Sequence, residues 1–287
     1  MSYFLSRDPR HTLIGSIRGI LRLLYFAAVF FSCAFLAVTV RALLPISTYR
    51  RMRPKIARTA GRILLYASNV RVRRVGAPPP EGAFIVANHL SWADSFTFLS
   101  ELGCRFMVNH LYGQIVGFGT ILKTVGVAFV NRMSVKAIGS TQKVMRTILR
   151  GESSLMVFPE GRTSRGAVVR PFKSALLQVA VELRRPVYWA TIRYETARNW
   201  PPASVIVGWE EWPPLLTHIY RAFHPPRIIC RILYGEAPIE ASDRRTLAEA
   251  LHRAVSTAHR SMPQLPEEAL RRIDVMKKVN RRIVYGG

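Results

Sequence analysis

Apolar and polar residues fall in blocks along this chain, and the blocks change period. Leu23 to Val40 is eighteen residues without a charge and carries Phe26, Phe30, Phe31, Phe35 and Leu36. That length lies at the short end of what a helix needs to cross a bilayer. Lys55 to Tyr66 then takes a helical period, with Ile56, Ala60, Ile63 and Leu64 on one face and Arg58 and Arg62 elsewhere on the wheel. After a basic, proline-rich joint at Val75 to Pro80, short apolar runs alternate with helical segments. Strands are expected at Phe84 to Asn88, Val125 to Asn131, Leu155 to Phe158, Val187 to Arg193, Val205 to Trp209 and Ile228 to Tyr234. Helices are expected at Trp92 to Leu102, Val135 to Arg150, Phe172 to Leu183, and Arg244 to Ser261 behind a Ser242 cap. Such alternation predicts an α/β domain, a sheet covered by helices. The organisation read from the pattern is a membrane-embedded N-terminal segment over 1–75, the α/β domain over 76–262 and a basic tail over 263–287.

Charge and cysteine usage narrow the class. The net charge of +25 is concentrated: the first 80 positions hold fourteen Arg or Lys against one acid, Asp8. Nucleic acid or an anionic membrane surface would each suit such charge. The uncharged run between the arginines favours the membrane. Its length, and the lack of an A-x-A-like site, argue against a cleaved signal peptide. Both flanks are basic (Arg7, Arg10, Arg18 and Arg22 before; Arg41, Arg50, Arg51, Arg53 and Lys55 after), so the positive-inside rule gives no orientation. Two helices embedded in one leaflet satisfy both ends without crossing. Cys33, Cys104 and Cys230 are odd in number and scattered, which gives neither a disulfide framework nor a zinc site.

The richest local chemistry lies in Asn88-His89-Leu90-Ser91-Trp92-Ala93-Asp94, where a strand-like run gives way to a helix-like one. Five residues along one helix would leave His89 and Asp94 about 140° apart, unable to meet. With His89 in the loop and Asp94 in the first helical turn, the imidazole can fold back onto the carboxylate and become an oriented general base. The same residues also read as a helix start, with Ser91 capping and Asp94 complementing the macrodipole. The spacing alone leaves these two readings level.

Two further segments separate them: Gly126-Val127-Ala128-Phe129-Val130-Asn131-Arg132, and Phe158-Pro159-Glu160-Gly161-Arg162-Thr163-Ser164. With His89 and Asp94, their order and spacing resemble the blocks of the glycerolipid acyltransferase family, to which 1-acylglycerol-3-phosphate acyltransferases belong. Arg185-Pro186-Val187-Tyr188-Trp189-Ala190 stands where the family's fourth block belongs, and Pro171-Phe172-Lys173-Ser174 resembles its F-K segment. The resemblance covers roughly residues 80 to 195; it is specific as a set, while each block alone is weak.

The resemblance implies a glycerolipid acyltransferase-like α/β fold with an N-terminal membrane-embedded two-helix motif. It implies that His89 and Asp94 are catalytic and that Arg132, Glu160, Gly161, Arg162 and Thr163 bind substrate, with Arg132 on an acceptor phosphate and Glu160 orienting Arg162 or accepting from a glycerol hydroxyl. An activated thioester can be attacked directly by the acceptor hydroxyl, so no serine or cysteine nucleophile is needed, in keeping with the absence of a G-x-S-x-G elbow. No cofactor or metal is expected, only an acyl-CoA or acyl carrier protein thioester as donor. The expected partners are a bilayer and a lysophospholipid, at the cytoplasmic face of the inner membrane, without nucleic acid. Two departures bear on the acceptor. The third block reads Glu-Gly-Arg-Thr-Ser where many phosphatidate-forming members read Glu-Gly-Thr-Arg-Ser, an order shared with members acylating other lyso-lipids such as lyso-ornithine lipid. The fourth block has Tyr188 and Trp189 in place of small apolar residues. Phosphatidic acid formation from 1-acylglycerol 3-phosphate leads. Acylation of another lyso-lipid, or non-catalytic binding of anionic lipid, are the alternatives.

Overall fold

The computed structural model describes residues 9–110, 114, 118–124, 126–130, 136–151, 153–198, 200–210, 215–264 and 266. In chain order its elements are α1 (Pro9–Leu43), α2 (Ile46–Ala67), β1 (Val70–Val75), β2 (Phe84–Ala87), α3 (Ala93–Leu102), β3 (Arg105–Asn109), α4 (Phe118–Thr124), β4 (Ala128–Val130), α5 (Lys136–Arg150), β5 (Leu155–Val157), a 3-10 turn (Ser174–Leu176), α6 (Gln178–Glu182), β6 (Val187–Thr196), α7 (Ala203–Ile206), α8 (Leu215–Ala222), β7 (Ile228–Tyr234) and α9 (Arg244–Ala258). The strands form one sheet in the order β1-β7-β6-β2-β5-β3-β4. β6, β2, β5, β3 and β4 run parallel; β7 is antiparallel to β6 and carries β1 parallel to itself at the edge.

β2 lies at the centre because it has nothing polar to expose: Phe84, Ile85, Val86 and Ala87 are all buried. Its side chains alternate between faces. Ile85 and Ala87 join Phe98, Leu99, Met156 and Ile192 on the face covered by α2 and α3. Phe84 and Val86 join Met145, Leu149, Leu155 and Leu251 on the face covered by α5 and α9. Parallel strands with helices on both faces put every loop that follows β2, β5, β3 or β4 at one end of the sheet, the end where ligands bind in open α/β folds.

α1 is set apart from this body. Leu13–Leu43 is 31 residues, long and apolar enough to cross a membrane; its most apolar 18-residue stretch has a mean hydropathy of 2.3, and only 11% of that stretch is buried in the protein. It is tied to the domain at Phe26, whose ring lies 6.0 Å from both Trp92 and Phe96 and 5.4 Å from Phe223. Arg22 adds bonds from its guanidinium to the carbonyls of Phe223, Pro225 and Pro226.

Four local readings change. Val70–Val75 and Arg105–Asn109 are strands that the pattern did not bring out, so the sheet begins ahead of the proline-rich joint. β1 is an edge strand with Arg71, Arg73 and Arg74 on it, charge that blocks pairing with another chain and also hides the strand from a hydrophobicity reading. The segment Val205 to Trp209 is not a strand. Pro202 is the extended N-cap of helix α7 over Ala203–Ile206, and its carbonyl accepts from the Val205 N–H at 2.9 Å and the Ile206 N–H at 3.2 Å. Phe172 to Leu183 divides into the 3-10 turn and the short α6. α9 is capped by Asp243 and not Ser242: its Oδ1 accepts from the N–H groups of Arg245 (2.8 Å) and Thr246 (3.1 Å).

Candidate active site

The loop after β2 is shaped by Asn88. The ladder between β2 and β6 ends at the pair Ala87↔Ala190. Asn88 extends it with its side chain, donating from Nδ2 to the Ile192 carbonyl at 2.9 Å and accepting the Ile192 N–H at 2.8 Å. The main chain is thereby released to turn. Its polar groups are taken up by the two loops beside it: the His89 carbonyl accepts from Ser164 N–H (2.9 Å) and the Leu90 carbonyl from Trp209 N–H (2.8 Å).

Within that turn His89 stands in the loop and Asp94 in the first turn of α3, and the two side chains meet at 2.7 Å, Nδ1 to Oδ2. Asp94 is fully buried. Its Oδ2 also accepts the N–H groups of Leu90 (2.6 Å) and Ser91 (2.9 Å), while Oδ1 accepts the Tyr194 hydroxyl at 2.7 Å. A carboxylate so placed accepts only, so Nδ1 carries the ring proton and Nε2 is the basic nitrogen. Phe158 stacks on the imidazole with centroids 4.0 Å apart and planes 7° from parallel. The His89 side chain retains 18% exposure. The two readings of the spacing therefore merge: Asp94 closes the helix start and holds the histidine. Ser91 contributes by a 3.3 Å bond from Ala93 N–H to its hydroxyl.

Tyr194 is the functional neighbour that the sequence did not disclose. It lies a hundred positions from Asp94 in chain order, on β6, and is fully buried. Burial first, and then the Asp94 charge, push its phenol well above the usual tyrosine range, so it remains a donor. On a strand, a tyrosine between Arg193 and Glu195 and on the same face as Ile192 reads as core, and only the three-dimensional pairing gives it a role.

The third block supports the turn from below. Glu160 is buried, and its two oxygens accept main-chain N–H groups from His89 (2.7 Å) and Arg170 (3.1 Å). Burial raises its carboxyl to about 7, against the pull of those two donors and the Arg170 charge. Among the described residues Glu160 meets main-chain donors and no bond joins it to Arg162. Arg162 is exposed instead. Gly161 has φ +76°, and a Cβ there would stand 2.9 Å from Lys173 Nζ, so the lysine lies across the glycine. Thr163 is half-buried and its carbonyl accepts from Arg170 Nη1 at 2.8 Å. Arg170 also pairs with Glu210, which Arg165 approaches at 4.0 Å. Arg162 and Lys173 are left as cations beside the turn with no carboxylate among the described residues.

The remaining expectations divide. Arg132 lies outside the described residues. Tyr188 and Trp189 pack against the two apolar layers, Trp189 closing over Gly235, so they act as core. His218, His252 and His259 bond to the carbonyls of Val207, Val169 and Gly166 and are structural.

Comparison with known proteins agrees with this geometry. A family model described as Acyltransferase matches residues 69–193. The 1-acyl-sn-glycerol-3-phosphate acyltransferase of Neisseria meningitidis serogroup B is 33% identical over 205 residues, covering 68% of this chain and 77% of that protein. A lyso-ornithine lipid O-acyltransferase of Pseudomonas aeruginosa is 27% identical over 230 residues, covering 77% of this chain and 84% of that protein. Among solved structures, the 1-acyl-sn-glycerophosphate acyltransferase of Thermotoga maritima shares the fold, with a TM-score of 0.60 at 20% identity over 86% of this chain and 99% of that one.

Proposed function

The chain belongs to the acyltransferase family, and from that premise we propose that it transfers a fatty acyl group from an acyl thioester to the hydroxyl of 1-acylglycerol 3-phosphate, giving phosphatidic acid. The observation that carries the reading is the His89–Asp94 pair, with Nδ1 held at 2.7 Å by a buried carboxylate and Nε2 left as the base. The acceptor hydroxyl attacks the thioester carbonyl. As the C–O bond forms, His89 Nε2 takes the hydroxyl proton. As the C–S bond breaks, the proton passes to the departing thiolate, and the products are an ester and a thiol. Asp94 stabilises the imidazolium in between without taking the proton itself. Phe158 keeps water off one face of the ring. Arg162 and Lys173 supply positive charge beside the turn for an acceptor phosphate, and Arg132 is assigned the same task from its place in the second block.

The setting is a membrane, at the cytoplasmic face of the inner membrane where acyl-CoA or acyl carrier protein is at hand. The exposed apolar length of α1, with basic residues at both ends, supports a two-helix anchor lying in one leaflet. The contact of Phe26 with Trp92 brings that anchor beside the histidine turn, where a lipid acceptor would arrive from the bilayer.

A second acceptor has its own support. The order Glu160-Gly161-Arg162-Thr163 departs from that of many phosphatidate-forming members, and the Pseudomonas relative named for lyso-ornithine lipid matches over a longer stretch than the Neisseria one. Lysophosphatidate and lyso-ornithine lipid offered to the purified protein with one labelled donor decide the matter. Faster acylation of lysophosphatidate is expected, and a clear preference for the other acceptor overturns the assignment. Arg132→Ala is expected to raise the KM for lysophosphatidate more than that for the donor.

A further inference from the structure

At the end of the sheet opposite His89, α2, the start of β3 and the turn before β4 bring two arginines together. Arg53 is 7% exposed, and its Nη1 is buried with no hydrogen-bond partner. That nitrogen presses against the place a Cβ on Gly126 would fill, so the glycine leaves room for the guanidinium. Arg105, half-buried, donates from Nε to the Gly126 carbonyl at 3.0 Å. Tyr49 donates its hydroxyl to the Thr124 carbonyl beside them and so fixes α2 to the end of α4.

The charges here do not balance. Burial, and then the charge of Arg105, pull the Arg53 guanidinium down to about 10, and burial lowers Arg105 as well. Both stay cationic at neutral pH. Among the described residues no carboxylate pairs with either: Glu81 is held by Arg58, and Glu101 by Arg74. A buried cation without a counter-ion is strongly unfavourable, and a second cation beside it compounds the cost. A hydrogen-bonding anion would relieve both. Two guanidinium forks suit a phosphate group, whose oxygens take paired N–H donors. The location is equally specific. The site lies just past the end of the apolar helix at Leu43, with Arg50 and Arg51 exposed beside it and Arg41 over the Tyr49 ring at 5.4 Å.

We infer that Arg53 and Arg105 form a binding site for a phosphate-type oxyanion, separate from the acyl-transfer site, filled by the headgroup of an anionic phospholipid or by free phosphate. Arg105 forms the half-exposed side of the site and Arg53 its buried side. The site makes docking of the N-terminal helices sensitive to the anions at the membrane surface, and it does so without contact with the reacting groups.

The test is thermal unfolding of the full chain in neutral detergent, with chloride at matched ionic strength as the baseline. Inorganic phosphate, phosphatidylglycerol in mixed micelles and phosphatidylcholine in mixed micelles are the three additions. A rise in Tm of about 3 °C or more is expected with a bound phosphate-type anion near saturation. Arg53→Met should lose that rise, while its Tm in chloride is unchanged or higher because no buried charge remains. Arg105→Gln, at a half-buried position that tolerates an amide, should lose it too; Arg227→Gln, an exposed arginine elsewhere, should keep it. A response to phosphatidylglycerol at far lower concentration than to inorganic phosphate or phosphatidylcholine identifies a lipid headgroup. Equal responses to phosphatidylglycerol and inorganic phosphate identify the free anion. No rise above the chloride baseline in the wild type, or a rise retained in both Arg53→Met and Arg105→Gln, overturns the inference.

Discussion

The two ends of the sheet treat buried charge in opposite ways. At the catalytic end, Asp94 is fully buried and accepts four hydrogen bonds, from His89, Leu90, Ser91 and Tyr194. Glu160, also buried, has both oxygens matched to main-chain donors. At the far end, Arg53 is buried too and has a nitrogen with no partner. A base that must act at one geometry gains from a complete set of partners, because every donor already in place removes a motion that would otherwise have to be frozen during reaction. A binding site is different: its groups stay unsatisfied until the ligand comes, and the stability withheld from the empty fold reappears as affinity. The buried carboxylates around His89 have their partners, and the buried Arg53 guanidinium does not.

The sharpest way to break the comparison is to remove a partner at the complete end. Asp94→Asn keeps the shape but offers an amide to the imidazole and to two main-chain N–H groups, so a loss of about 1,000-fold in kcat is expected, read by transfer of a labelled acyl chain. A loss under tenfold would mean that the histidine does not depend on its carboxylate. Tyr194→Phe takes only the donor on Oδ1. It should cost about tenfold in kcat/KM with little change in acceptor KM. With that donor gone Asp94 holds a proton-bearing imidazole more strongly, so the acidic limb of the pH profile should move to higher pH. A purely structural role for the phenol would lower the amount of folded protein and leave the profile in place.

Smaller effects sharpen the account of the supporting turn. Gly161→Ala puts a methyl 2.9 Å from Lys173 Nζ at a backbone angle that favours glycine. It should raise the acceptor KM several-fold and cost about 1 kcal/mol of stability, measured by saturation kinetics and denaturant unfolding. Glu160 gives the smallest and most specific signal. Its folded carboxyl is raised to about 7 from 4.5 by burial, so its contribution to stability is fully present below about 4.5 and is lost as the pH climbs through 7. Glu160→Gln has no charge to bury; it should lack that decline between pH 4.5 and 7. Parallel stability profiles for the two proteins would remove the buried ionisation from the account.

The sequence made local chemistry visible and distant chemistry invisible. His89 and Asp94 sit five positions apart across a strand-to-helix change, so their meeting follows from backbone geometry alone. The same logic gave β2, α3 and its stop at Gly103, where the chain turns left-handed at φ 59°. Tyr194 and Asn88 act through residues about a hundred positions away, and no periodicity reports such a pairing. Glu160 was expected to steer Arg162 or to accept from a glycerol hydroxyl, and its main-chain bonds to His89 and Arg170 were not legible in the sequence. β1 was hidden by its arginines, since an edge strand protected by charge loses the apolar signature of a strand. The segment at Val205 to Trp209 shows the reverse: β-branched residues promised a strand, but the chain closes a helical turn onto the carbonyl of Pro202.

Every feature at the complete end serves one atom, Nε2 of His89. The most direct measurement is therefore acyl transfer to lysophosphatidate by purified His89→Ala, beside wild type, with folding of both checked by circular dichroism. The account predicts a folded variant whose rate is at least about 100-fold lower, with the donor still bound. A folded variant that transfers acyl groups as fast as wild type would contradict it.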